Sequence, residues 1–342
     1  MSIFEVNADK KYQVETGIDW RERIGELTNG REFRVIAPSS LRDKLIVALP
    51  DSQIIFAPDG EAQKSFEFLK KVLENLAQEK LTRDAVLVGI GGGATTDLVG
   101  FAASIYLRGI DWIAIPTSLA GMVDASVGGK TGVNLAAGKN LAGTFYSPSK
   151  VLIDFNWLQD LPIRDIHAGL AESVKCGFIA DSKILNLIED NVFANLSEII
   201  ERSVSVKVKV VSSDFRESGE REILNYGHTL GHAIEKDANY ELRHGEAISI
   251  GMVFAAALSV ELEGLPKEVL ARHKEILRKL SLPLTYKKDA WDRLYSLMLN
   301  DKKRKSDEVR FVTLIKEGKC GRKSSPEGIL RNVYFKEIGL NL

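Results

Sequence analysis

An apolar run that leads directly into three glycines constrains this chain more than any other stretch. In AVLVGIGGGATTDLVGFAASIYLRG, the segment Ala85 to Ile90 has no polar residue, Gly91, Gly92 and Gly93 follow, and small residues at helical spacing come next. Such a strand–glycine–helix sequence belongs to an open parallel sheet. Glycines at that turn let the backbone approach an anion while the following helix offers free N–H groups, which is where the phosphates of a nucleotide would sit. The six-residue dinucleotide fingerprint is absent, and a simple tight turn would use the same glycines.

The surrounding sequence extends the α/β pattern. FRVIA, KLIVAL and QIIFA, all within the first 57 residues, predict strands, as do WIAIPTS and VLIDF further on. SFEFLKKVLENLAQEKL at 65–81 predicts an amphipathic helix with Phe66, Leu69, Leu73 and Leu76 on its apolar side. From about residue 155 the periodicity is helical to about 300, with helices through 183–211, 245–263 and 267–280; VRFVTLI then reads as a hairpin or edge strand. The expected organisation is an α/β domain over 1–155 and a mostly helical domain over 156–342, a division natural for 342 residues.

Composition narrows the function. Lys plus Arg (46) nearly cancels Asp plus Glu (47), so no general nucleic-acid or membrane surface is implied and any anion site must be a local gathering of cations. Cys176 and Cys320 are too few for a disulfide framework and fit a reduced compartment. The N-terminus lacks a leader pattern and no uninterrupted apolar run approaches a membrane span. The expectation is a soluble, cytoplasmic protein.

Chemistry concentrates between Arg221 and Met252, where three of the five histidines lie: His228, His232 and His244. His228 and His232 stand four apart, on one face of a helix, and imidazole suits Zn²⁺ and similar ions. A helix start with surface or hydrogen-bonded histidines would look the same. Glu172 and Lys175 share a helical face, as a structural salt bridge also would. A glycine-rich stretch over 119–145 carries Asp124, Lys130, Asn134, Lys139 and Asn140, suited to an anion and equally to a solvated loop. DKKRK, from Asp301, reads alone as a solvated charge cluster.

Several motifs then coincide in order: PDGEAQKS (58–65), GGGATTDLVGF (91–101), YLRG (106–109), PTSLAGMVDASVGGKTGVN (116–134), GKN (138–140), AGLAESVK ending at 175, KVKVVSSD (207–214), RESGEREILNYGHTLGHAIE (216–235), HGEA (244–247) and NDKK (300–303). Together they resemble the 3-dehydroquinate synthase family over nearly the whole chain beyond about residue 35. The resemblance implies a Rossmann-like NAD-binding domain followed by a mostly helical metal-binding domain, with the active site in the cleft between them. It implies conversion of 3-deoxy-D-arabino-heptulosonate 7-phosphate to 3-dehydroquinate and phosphate by transient oxidation, elimination, reduction and aldol closure.

By resemblance, Glu172, His228 and His244 hold the metal, zinc or alternatively cobalt, and His232 faces the substrate. Lys130, Asn140, His232 and Arg108 surround the phosphate, Arg108 coming from the neighbouring subunit of a homodimer. Arg221, Lys207, Lys175, Asn225 and Lys302, preferred over Lys303, complete the lining, with Asp124 and Glu217 orienting hydroxyls and cations. NAD is assigned to Gly91, Gly92, Gly93 and Asp97, with Glu61 and Lys64 near the adenosine and ribose. Thr117, Ser118, Asp124, Lys139 and Lys130 fall toward the nicotinamide side. Where many members place an acidic residue near position 37, this chain has APSS, and Asp165 replaces a usual Glu. Sister cyclases, of the 2-epi-5-epi-valiolone or 2-deoxy-scyllo-inosose synthase type, share the machinery; retention of Lys130, Lys207 and Arg221 argues for a carboxylate-bearing substrate.

Overall fold

The structure, a computed structural model, describes residues 1–301 and 309–340. Packing divides the chain into two units, Met1–Leu161 with Lys207–Arg216, and Pro162–Val206 with Glu217–Leu342. In chain order the first unit has strands β1 (Ser2–Asn7), β2 (Lys11–Thr16), β3 (Phe33–Pro38), β4 (Ile54–Ala57), β5 (Val86–Gly91), β6 (Asp111–Pro116), β7 (Lys130–Leu135), β8 (Gly138–Phe145) and β9 (Lys150–Ile153). Its helices are α1 (Trp20–Thr28), α2 (Arg42–Leu45), α3 (Phe66–Gln78) and α4 (Gly93–Ile105).

Seven strands form one sheet in the order β1-β2-β9-β6-β5-β3-β4, and every pair but the β1–β2 hairpin is parallel. Every residue of β5 is buried, as its continuous apolar run requires. The chain leaves β3 for β4 on one flank and returns to β5 on the other. That reversal opens a crevice beyond the carboxyl ends of β3 and β5, where Gly91 to Gly93 lie.

Two local expectations are corrected. KLIVAL is not a strand: Lys44 and Leu45 end α2, and only Leu45 and Leu49 are buried, at the four-residue spacing of a helical turn, while Ile46 and Val47 are exposed. In α3 the buried face is Leu69, Val72 and Leu76, and Phe66 is exposed beside the Ser65 cap, whose Oγ accepts from the Phe68 amide at 3.2 Å. The glycine-rich stretch is built rather than loose. A π-helical turn at Gly121–Ala125 precedes the antiparallel β7–β8 hairpin.

The second unit contains α5 (Ile163–Ile179), α6 (Lys183–Asn191), α7 (Leu196–Ser213), α8 (His228–Asp237), α9 (His244–Glu263) and α10 (Lys267–Lys279), followed by β10 (Tyr286–Lys287) and α11 (Trp291–Asp301). The hairpin β11 (Val309–Lys316) and β12 (Lys319–Ser325), α12 (Glu327–Glu337) and β13 (Gly339–Leu340) complete it. From Lys207 onward α7 packs with the first unit. Helix α9 is the core of the second unit, buried without a break from Gly245 to Ser259 and packed by α5, α8, α10, α12 and β11. Among the described residues it is the one helix long and apolar enough to cross a membrane, and 83% of that apolar window is buried within the protein, as a core helix requires.

Glycines set how closely these helices meet. A Cβ on Gly245 would stand 1.8 Å from the Ala168 carbonyl oxygen of α5, and one on Gly251 would stand 1.9 Å from the Gly227 carbonyl oxygen. Gly227 adopts φ +80°, a left-handed conformation that glycine takes without steric cost, at the turn into α8. Gly227 precedes His228 and Gly245 follows His244, so backbone-to-backbone contact is made beside two of the three clustered histidines.

Candidate active site

Glu172 lies on α5 with its side chain 1% exposed. Its Oε1 is 3.3 Å from His244 Nε2 and 3.6 Å from His228 Nε2, and Lys175, also buried, forms an ion pair with Oε2. Neither carboxylate oxygen has a hydrogen-bond partner of good geometry. Ring nitrogens of His228, His232 and His244 come within 4.8 Å of one another, with His228 buried and His232 exposed.

The far side of two rings is fixed by the protein. His228 Nδ1 is 3.1 Å from the Tyr226 carbonyl oxygen, which can only accept, so Nδ1 carries the proton and Nε2 presents a lone pair. His244 Nδ1 is 3.1 Å from Glu235 Oε2, which orients that ring likewise. At the start of α9, Glu246 accepts from the Arg243 amide at 3.0 Å and pairs with Arg164 of α5. Arg243 pairs with Asp165, so that position anchors the helix carrying His244.

Charge follows the geometry. Burial works against ionisation of Glu172, but Lys175 and the imidazoles hold its carboxyl well below the usual range. Burial, with the Lys175 charge, pushes His228 well below the ordinary imidazole value and keeps it neutral, as a ligand must be. For His244 burial is overridden by Glu172 and Glu235, which raise it to about 10. A buried carboxylate facing Nε2 of His228 and His244 is a donor set that fits a borderline divalent cation such as Zn²⁺ or Co²⁺, whose binding would displace the His244 proton.

In the same unit, Asn225 Nδ2 donates to Glu217 Oε1 at 2.7 Å, and Arg221 is buried in the 3₁₀ turn Glu220–Asn225. Lys302 and Lys303 lie outside the described residues.

The first unit gathers a second set. A Cβ on Gly91 would meet Thr95 Oγ1 at 2.2 Å, and one on Gly93 would meet the Ala125 Cβ at 2.9 Å, so this turn admits backbone only. Gly92 caps α4 without a side-chain hydrogen bond, so no capping side chain crowds the N–H groups of the first turn. These features fit a nucleotide diphosphate. Thr117 donates its amide to the Gly91 carbonyl at 2.9 Å, and Ser118 Oγ accepts from the Gly121 amide at 3.2 Å. Asp97 pairs with buried Lys64 at 2.6 Å; burial lifts the Asp97 carboxyl to about 6 against that pull. Lys64 also reaches Glu61 and Asn140. Asp124 pairs with Lys207, brought into this unit by the end of α7.

Lys139 is half-buried on β8, and Lys130 is exposed at the start of β7. Arg108 is exposed beyond the C-terminal end of α4, the end away from the glycine turn, on a backbone where Leu107 and Arg108 have φ 48° and 68°. Sequence reasoning did not find Glu235 and the Tyr226 carbonyl. Glu235 closes the GHAIE segment and looks like an ordinary helical acid, and a backbone acceptor leaves no residue signature. Asn134, read only as part of the glycine-rich stretch, donates to Glu61 Oε1 at 2.7 Å.

The doubly wound parallel sheet with its glycine turn, together with the helical unit built on α9, places the chain among α/β enzymes with a Rossmann-like first unit and a helical second one. A sequence profile for the 3-dehydroquinate synthase N-terminal region matches residues 54–168, and one for the 3-dehydroquinate synthase C-terminal region matches 169–304. A 3-dehydroquinate synthase of Paenarthrobacter aurescens (strain TC1) is 47% identical over 330 residues, covering 92% of this chain and 90% of that protein. The chain belongs to the 3-dehydroquinate synthase family.

Among solved structures, a 2-deoxy-scyllo-inosose synthase complexed with carbaglucose-6-phosphate, NAD⁺ and Co²⁺ matches with TM-score 0.88 and 25% identity, over 98% of this chain and 100% of that one. The 2-epi-5-epi-valiolone synthase ValA from Streptomyces hygroscopicus subsp. jinggangensis 5008, with NAD⁺ and Zn²⁺ bound, matches with TM-score 0.84 and 26% identity, over 97% and 99%.

Proposed function

We propose that this chain converts 3-deoxy-D-arabino-heptulosonate 7-phosphate into 3-dehydroquinate and inorganic phosphate, using NAD⁺ and a divalent metal, zinc or cobalt, and consuming neither. The observation that carries the reading is the buried Glu172 carboxylate facing Nε2 of His228 and His244, each ring pinned from behind. Membership of the synthase family supports the substrate. The NAD⁺ and Zn²⁺ or Co²⁺ of the two solved neighbours support the cofactors.

NAD⁺, when bound, would supply a reversible acceptor for the hydride on the carbon bearing one ring hydroxyl, and the metal would ease loss of that hydroxyl's proton. Glu172, His228 and His244 hold the metal. His232, exposed at the same cluster, faces the substrate. Lys130, Asn140, His232 and Arg108 bind the phosphate. Arg221, Lys175, Lys207 and Asn225 line the rest of the substrate, Arg221 suiting a planar carboxylate. Asp124 orients Lys207 and Glu217 orients Asn225, each through the contact it already makes. The departing phosphate takes the neighbouring proton itself, so no protein carboxylate need act as base there; positioning and electrostatics supply the assistance. Gly91, Gly92, Gly93 and Asp97 hold NAD⁺, with Glu61 and Lys64 on its adenosine side and Thr117, Ser118, Asp124, Lys130 and Lys139 toward the nicotinamide.

The working protein is a cytoplasmic homodimer in which Arg108 serves the neighbouring active site. Its exposure beyond the end of α4 and two cysteines kept as thiols are consistent with this. Substrate choice tests the reading: turnover of the heptulosonate phosphate and none of a carboxylate-free hexose 6-phosphate is expected. The reverse would assign the chain to a sister cyclase.

A further inference from the structure

Lys64 makes a junction within the first unit. Its side chain is 4% exposed, and one ammonium donates to Asp97 Oδ2 at 2.6 Å and to Asn140 Oδ1, with Glu61 Oε1 at 3.6 Å. Asp97 belongs to α4, which starts at the glycine turn; Asn140 belongs to the β7–β8 hairpin. The hairpin is tied to the same junction by Asn134. Its amide nitrogen donates to the Lys64 carbonyl at 2.8 Å, its Oδ1 accepts from the Asn140 amide at 2.9 Å, and its Nδ2 donates to Glu61 at 2.7 Å. Asn140 has φ 57°, left-handed backbone that asparagine adopts more readily than other non-glycine residues.

An ammonium has donors only, so the Asn140 atom it faces must be the amide oxygen. The NH₂ end of Asn140 is then turned away from Lys64, and Asn140 is exposed. With its oxygen engaged by a cation, the amide meets an oxyanion as a donor and cannot flip to present a repelling oxygen. We infer that Lys64 is a positioning residue for the phosphate group: it fixes the amide polarity of Asn140 and, through Asp97, ties that donor to the nucleotide end of the same unit. The inference rests on the proposed role of Asn140 as a phosphate donor.

The test is a double-mutant cycle read as affinity for inorganic phosphate, by calorimetry on protein saturated with NAD⁺ and Zn²⁺. Asn140→Ala and Lys64→Met are each expected to weaken phosphate binding about tenfold or more, the scale of a hydrogen bond to a charged group. The double variant is expected to be no weaker than either alone within about twofold, because both remove one interaction. Zn²⁺ affinity, a property of the other unit, should stay at the wild-type value, which a general loss of structure would not allow. If Lys64→Met does not fold, Lys64→Met/Asp97→Asn removes both charges together and enters the cycle in its place. Undiminished phosphate affinity in the Lys64 variants, or effects that multiply to about a hundredfold, would overturn the inference while leaving the Asn140 role intact. An Asn140→Ala protein with unchanged phosphate affinity would remove that role and the inference together.

Discussion

His244 is held at both ring nitrogens, Nδ1 at 3.1 Å by Glu235 and Nε2 at 3.3 Å from Glu172. An outer carboxylate of this kind fixes ring orientation and raises ligand basicity, and its loss typically costs 10- to 100-fold in metal affinity. Glu235→Gln is therefore expected to weaken Zn²⁺ binding about tenfold or more in competition with a chromophoric chelator, and to lower the thermal transition of the metal-free protein as well, because Glu235 also pairs with the protonated His244 there. His273 offers a pH test away from the metal. It is fully buried, stacked on Phe178 at 3.3 Å, with Nδ1 donating to the Val269 carbonyl at 2.7 Å and Nε2 accepting from the Tyr226 hydroxyl at 3.0 Å. Burial lowers its pKa to about 3. Below the ordinary imidazole value near 6.5 the unfolded chain takes up a proton that the folded chain refuses, so stability falls as pH drops from about 6.5 toward 3, by about 2 kcal/mol at pH 5. In urea melts at pH 7 and pH 5, His273→Leu should lose that share of the difference; a slope equal to wild type would contradict it. The clustering of His228, His232 and His244 was legible in sequence because histidine is scarce here. Glu235 was not, because an acid on a helix looks the same solvated or buried.

At the scale of elements, the histidine cluster depends on helices that touch through glycine. The missing Cβ of Gly245 lets α9 begin against the Ala168 carbonyl of α5, one turn before Glu172. Gly245→Ala forces those helices apart and is expected to cost about 1–3 kcal/mol in denaturant unfolding, the range for an overpacked core. It should also weaken metal binding, which a substitution felt only as lost stability would leave alone. Most elements could be read from their composition and periods: β5 as a wholly apolar strand, α3 as an amphipathic helix, α9 as a helix over 245–263. KLIVAL could not, because its β-branched residues suggested a strand while tertiary packing selected only Leu45 and Leu49. The β7–β8 hairpin was hidden for a related reason. Its glycines, Gly132 and Gly143, cross backbone to backbone, and their composition reads as loop unless the partner strand is known.

For the whole molecule, the sequence motifs, the parallel sheet with its glycine turn and the matches over both halves of the chain agree on a 3-dehydroquinate synthase family member. The family assignment was legible because many short motifs stood in one order; the proposed action of Arg108 across subunits has no local signature beyond an exposed arginine after α4. It makes a prediction at this scale. Arg108→Ala and His244→Ala proteins, each inactive alone, should regain up to about a quarter of wild-type turnover when mixed and allowed to exchange subunits, because a mixed dimer has one intact site. No recovery after demonstrated exchange would place Arg108 in its own subunit's chemistry or outside it. The most direct measurement of the central claim is phosphate release from 3-deoxy-D-arabino-heptulosonate 7-phosphate by metal-depleted protein given substoichiometric NAD⁺, while absorbance at the NADH wavelength is followed. Release of many equivalents of phosphate per NAD⁺ only after one equivalent of Zn²⁺ or Co²⁺ is restored, with no accumulating NADH, is the predicted result. Turnover that proceeds without metal, or NADH formed in proportion to product, would contradict it.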